Sequence, residues 1–315
     1  MRLSALSAGE HAPRGRFDGV VHSVFKRSCN VRLDNGRLLA LLGPQLANLP
    51  HGIRVATAPD FAFADHLGVG QSVGCRADVL RGGEVGLSID LGTARLWRCD
   101  LARLGVDLES PEATLAWRTA WHALWRHERC ALVTAEEGRL DLGMRAASPC
   151  EALRCTAMRD AVRLARATRA LRADRARAAL DRLIGRGPGL TPAGDDLVVG
   201  LLAGLRVAGG DRVERLAFLR SLGGAVVDAM SATNEISQAF LRHATLGSVA
   251  EPLAVLARHI AEGTAPEEVE RATARALSFG HSSGADATLG LLLGLAAWRP
   301  AWPFSEQASK IEASG

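Results

Sequence analysis

Gly194-Asp195-Asp196-Leu-Val-Val-Gly200-Leu-Leu-Ala-Gly204-Leu205 and, ninety positions later (194 to 284), Gly284-Ala285-Asp286-Ala-Thr-Leu-Gly290-Leu-Leu-Leu-Gly294-Leu295 share one pattern, G-x-D-x-x-x-G-L-L-x-G-L. Both stretches are apolar on all sides beyond the first turn, which predicts buried helices. Each glycine inside a helix costs about 1 kcal/mol against alanine. Matched pairs four apart therefore call for a packing reason, and a close approach of two helix backbones supplies one. The repeat predicts two helices packed on each other about a pseudo-twofold axis. Their acids fall in the first turn, where a carboxylate complements the helix dipole. If the helices run parallel, Asp196 and Asp286 converge.

A polar loop precedes each helix. The first is Gly185-Arg186-Gly187-Pro188-Gly189-Leu190-Thr191-Pro192, whose last two residues read as N-cap and first helical position. The second is Phe279-Gly280-His281-Ser282-Ser283. A third polar segment, Ser231-Ala232-Thr233-Asn234-Glu235-Ile236-Ser237, reads as a helix start capped by Ser231 or Thr233. A duplicated, well-capped core helix explains the glycines and leucines. It does not explain tandem acids at the mouth of an apolar helix, nor hydroxyls and a histidine before the third acid. Convergent helix starts with loops rich in backbone N–H groups suit a small anion, an amide, or a divalent metal between carboxylates.

The rest of the chain frames this element. Residues 1–105 form a β-rich domain, barrel-like or a sandwich: Asp34-Asn35-Gly36 marks a hairpin, and Leu87 and Ile89 alternate with Ser88 and Asp90. Residues 106–150 hold a connecting helix opened by Ser110-Pro111, with Trp117, Trp121 and Trp125 along one side, and a short hairpin near Ala131 to Leu142. Residues 151–303 read as a mainly α-helical domain carrying the candidate site, and residues 304–315 as a polar tail. The class is α+β. All but two of the 38 basic residues are arginine, interleaved with acids along helices, so the net charge of +4 does not argue for nucleic acid. The six cysteines show no zinc-type spacing, and no apolar run is long enough for a membrane span. A cytoplasmic protein with small, buried thiols is the expectation.

The three polar segments together resemble the AllH family, named for a subunit of oxamate carbamoyltransferase. The resemblance rests on G-x-G-x-G-L-T-P-x-G-D-D at Gly185 to Asp196, on Ile236-Ser237 with Leu241 and Ala244, and on G-H-x-S-G-x-D at Gly280 to Asp286. It implies a role in anaerobic allantoin and purine breakdown. The chain would be one subunit of an enzyme assembled from several different subunits, which converts oxalurate and phosphate to oxamate and carbamoyl phosphate.

Such chemistry needs an anion held in place and donors for a developing oxyanion. On the motif positions, Gly187 and Gly189 admit backbone N–H groups to the phosphate, Arg186 adds charge, and Thr191, Ser282 and Ser283 orient the amide. His281 is the acid/base candidate, with Asp196 and Asp286 as its catalytic companions and Asn234 and Ser237 on the wall. Asp195, Asp196 and Asp286 form the candidate metal set, for which Mg²⁺ is the fitting ion. A metal-dependent amide hydrolase and a non-catalytic ligand-binding or scaffold subunit are the competing readings.

Overall fold

A computed structural model describes residues 1–83, 86–127 and 149–299, with backbone only for 149–158. The hairpin expected near Ala131 to Leu142 and the tail lie outside these residues. The chain divides into two compact units, Met1–Cys99 and Asp100 onward.

The first unit is a closed β-barrel. Its strands are β1 (Arg2–Gly9), β2 (Phe17–Val24), β3 (Ser28–Leu33), β4 (Leu38–Leu42), β5 (Gly52–Val55), β6 (Ser72–Arg76), β7 (Val79–Gly82), β8 (Leu87–Asp90) and β9 (Arg95–Trp97). The order β5-β4-β3-β2-β6-β7-β8-β1 closes through β1–β5 pairing, and β9 joins β1 in parallel. Closure follows from alternation: Val21, Val31, Leu41, Ile53, Val73, Leu80 and Ile89 all point into one core. The Asp34-Asn35-Gly36 turn is a three-residue loop, in which Leu33 N–H donates to the Arg37 carbonyl and only Gly36 takes a positive φ, 76°. The Asn-Gly pair thus works as a turn followed by a left-handed glycine, not as a two-residue hairpin. Cys29, Cys75 and Cys99 are buried free thiols, and burial pushes Cys29 up to about 12, which leaves it inert.

The second unit is helical: α1 (Pro111–Trp125), α2 (Pro149–Arg169), α3 (Ala173–Leu183), α4 (Ala193–Gly209), α5 (Val213–Ala229), α6 (Glu235–Thr245), α7 (Glu251–Glu262), α8 (Pro266–Leu277) and α9 (Ser283–Ala296). α1 starts as its sequence dictates, with Ser110 Oγ accepting from Ala113 N–H at 3.1 Å. It packs inside this unit, on α7, α8 and α9, instead of serving as a separate connection. Trp117 and Trp121 stack at 5.3 Å, and the Trp117 indole N–H donates to the Leu292 carbonyl. Trp117 and Trp121 are core, and Trp125 is half-buried.

α4 and α9 are the centre of the unit and meet backbone to backbone. A Cβ on Gly200 would lie 1.9 Å from the Ala287 carbonyl oxygen, and one on Gly290 would lie 2.0 Å from that of Leu197. Gly204 faces Leu291 and Leu295, while Gly294 faces Leu201 and Leu205. These contacts exchange under the ninety-residue offset, so the pseudo-twofold relation is present in the packing itself. Contacts on both helices advance together, so the helices run parallel. The symmetry extends outward: Gly194 abuts Leu183 at the end of α3, and Gly284 abuts Ala276 and Leu277 at the end of α8. The repeated unit is therefore helix–loop–helix.

Gly200→Ala or Gly290→Ala should destabilise the protein by about 3 kcal/mol or more, because overpacking here meets immovable backbone. Gly224→Ala, in α5 with open space around its would-be Cβ, should instead be neutral or stabilise by up to about 1 kcal/mol. Chemical denaturation of the three variants measures both effects.

Candidate functional site

Parallel packing of α4 and α9 brings their N-termini, and the loops that lead into them, to one place. Thr191 Oγ1 and Ser283 Oγ, from the two loops, are hydrogen-bonded at 2.7 Å. Helix α4 begins at Ala193 with Pro192 as its cap residue and no side-chain cap, so Thr191 is not the N-cap its position suggested. Its hydroxyl is turned across to the second loop.

The tandem acids divide sharply. Asp195 is 1% exposed, and its two oxygens accept from Gly185 N–H at 2.7 Å and from the Thr233 hydroxyl at 2.5 Å. The buried Ser237 Oγ stands beside this carboxylate without completing a hydrogen bond of normal geometry. Burial raises the Asp195 pKa, against the lowering effect of its Thr233 and Gly185 partners. Asp195 is thus a latch that ties the glycine loop and the start of α6 to α4.

Asp196, one residue on and about 100° around the helix, faces the other loop. It is 8% exposed, near the hydroxyls of Ser283 and Thr191 and the carboxylate of Asp286, itself 5% exposed. Burial first, then repulsion from Asp286 and Asp195, raise its pKa well above the ordinary carboxylate value, overcoming the two hydroxyls. Its Oδ2 is buried without a hydrogen-bond partner among the described residues. A buried carboxyl oxygen without a partner is costly unless a ligand meets it.

The remaining expected residues separate. Gly187 (φ 124°) packs against α4, where a Cβ would meet the Ala193 nitrogen at 2.6 Å, so its role is close approach. Gly189 (φ 99°) faces open space, and Arg186 and His281 are exposed on their loops. Ser282 is half-buried at the start of α9 and makes no side-chain cap. Asn234, expected on the wall, is the N-cap of α6: its Oδ1 accepts from Ile236 and Ser237 N–H groups, both at 3.1 Å. Neither Ser231 nor Thr233 caps that helix, and Thr233 instead serves Asp195. The Thr233 latch was not in the expected site; its place directly before the capping asparagine was the one signal in the sequence.

The three-carboxylate metal set is not assembled. Among the described residues no three His, Cys, Asp or Glu side chains are grouped to hold a metal ion. The physical reason is that both Asp195 oxygens are taken by the latch. What converges is a two-carboxyl, two-hydroxyl cluster under two positive helix ends, suited to an anionic or amide ligand.

Residues 183–295 match the family model described as oxamate carbamoyltransferase subunit AllH, and residues 3–96 match that of the AllH family N-terminal domain. No curated protein and no solved structure matches the chain. No described helix is long and apolar enough to cross a membrane.

The raised Asp196 pKa carries a testable sign. A group protonated more readily in the folded state contributes most below its unfolded value of 3.8, and that contribution is lost as pH rises through the folded value. Asp196→Asn cannot ionise. Its melting temperature should therefore gain on the parent's progressively from pH 4 to pH 8, and the two should draw together at acid pH. A difference that does not change with pH would mean that Asp196 is not held neutral.

Proposed function

The chain belongs to the AllH family, and from that premise we propose that it is the subunit of an oxamate carbamoyltransferase-like enzyme in which the carbamoyl group is handled. The family bears the name of a subunit of that enzyme. The proposed reaction transfers the carbamoyl group of oxalurate to phosphate, giving oxamate and carbamoyl phosphate, in the anaerobic breakdown of allantoin. Other subunits of the complex are its partners.

The observation that supports this most is the buried, unpartnered Oδ2 of Asp196 at two convergent helix starts. In the transfer a phosphate oxygen bonds to the carbamoyl carbon, and the bond from that carbon to the oxamate nitrogen breaks. Charge develops on the carbamoyl oxygen, and the departing nitrogen needs a proton. A neutral Asp196 supplies a hydrogen-bond donor to that oxygen or a proton to that nitrogen, and the helix N–H groups hold negative charge. Thr191 and Ser283, already hydrogen-bonded to each other, are placed to orient the amide. Gly189 and Arg186 border the phosphate, and Ser282 and His281 complete the exposed side, His281 as the group that exchanges protons with solvent. Asp286 adds its repulsion to the burial that raises the pKa of its neighbour.

The purified protein with its partner subunits, given oxalurate and phosphate, should form carbamoyl phosphate. Asp196→Asn should lower kcat by about two orders of magnitude or more, the usual scale for an acid/base or oxyanion group. His281→Ala should also slow turnover while leaving subunit assembly intact, which a scaffold role would not produce. No carbamoyl phosphate from the complete set of subunits would refute the substrate assignment.

A further inference from the structure

The barrel carries a cleft of its own, independent of the helical unit. It opens beside the β3–β4 hairpin, measures about 540 Å³, and is floored by Phe17 and Leu38. Arg14, Arg16 and Arg37 line it with His11. The two carboxylates in the lining do not balance these cations. Both oxygens of Asp18 accept from Arg76 Nη2, at 2.8 and 2.7 Å, and Arg16 acts on the same carboxylate only at longer range, so the cations of the lining outnumber its free carboxylates. Among the described residues Arg14, Arg16 and Arg37 make no ion pair, and all three are exposed.

The positive field reaches inward. The buried His51 imidazole is pushed down to about 4, by burial first and then by Arg37 and His11. Some arginines elsewhere in the chain are neutralised by acids, as Arg126 is by Glu270 and Arg177 by Asp228. Three guanidiniums without an ion pair therefore line one cleft together with the apolar Phe17 and Leu38. Guanidinium forks match phosphate and carboxylate groups, and a concavity of this size accepts a small molecule.

We propose that this cleft binds a small organic anion carrying two or more phosphate or carboxylate groups, with its apolar part against Phe17 and Leu38. The anionic groups sit among Arg14, Arg16 and Arg37. The site does not depend on carbamoyl transfer by the helical unit.

Calorimetric titration of the full chain with pyrophosphate and with ADP, followed by hydrogen–deuterium exchange, tests it. Both probes should bind, ADP more tightly because of the apolar floor, and exchange should slow at residues 11–18 and 33–38. Arg16→Ala with Arg37→Ala should weaken binding by at least about tenfold, since charged hydrogen bonds are lost, and Arg14→Ala alone should weaken it less. Higher salt should weaken it too. The proposal is overturned if neither probe binds, or if the variants bind as the parent does. It is equally overturned if protection appears only at residues 185–191, or if an RNA oligonucleotide or an acidic peptide binds there while both small probes fail. Protection confined to 185–191 would leave the helical site standing, so the two proposals fail separately.

Discussion

Contact between two helix backbones, made possible by four glycines without side chains, is the constraint on which the helical unit depends. At Gly200, Gly204, Gly290 and Gly294 the opposing main chain occupies the space of any side chain. The usual intervening layer of side chains is missing, so the two helices have almost no latitude to slide or rotate. Fixing their register fixes their ends. Thr191 meets Ser283, and Asp196 comes up against Asp286, as consequences of packing that begins about one turn deeper. The energetic cost of burying two carboxyl groups together is sustained by a core that leaves them no alternative position.

Adjacent acids in this frame do opposite work. Asp195 is satisfied by Gly185 and Thr233 and holds the loop and α6 in place. Asp196 has an oxygen without a hydrogen-bond partner among the described residues, and burial raises its pKa. The first acid fixes the surroundings of the second, since it anchors the glycine-rich loop and the residue before Asn234. One carboxylate is spent on geometry while burial disfavours ionisation of the other, an arrangement economical in sequence but sensitive to any shift of register.

The repeat was legible because glycine is costly in helices, so its matched recurrence could only mean close packing, and the four contacts follow the pattern residue for residue. The barrel was legible from alternation and turn residues. The division of labour between Asp195 and Asp196 was not. Their places about 100° apart on a helix were fixed by the sequence, but which neighbour waited on each side depended on α6 and the second loop, which are distant in the chain. The same limit hid the caps. Asn234, Thr233 and Ser231 are all competent cap residues, and the choice was made by Asp195, which claims the Thr233 hydroxyl. The expected metal set failed for the same reason. Three acids in a motif say nothing about which of them has already been claimed.

The closed barrel has a consequence for how other chains can be met. Because β1 pairs with β5, the ring offers no long row of vacant main-chain groups, and the strand left with an outer edge is β9, only Arg95–Trp97. Three residues are too few to template an added strand. Recruitment through this unit must therefore read side chains and shape, which are specific to one companion, in place of the backbone, which any extended peptide could imitate. The barrel gains from this a surface that resists indiscriminate zippering.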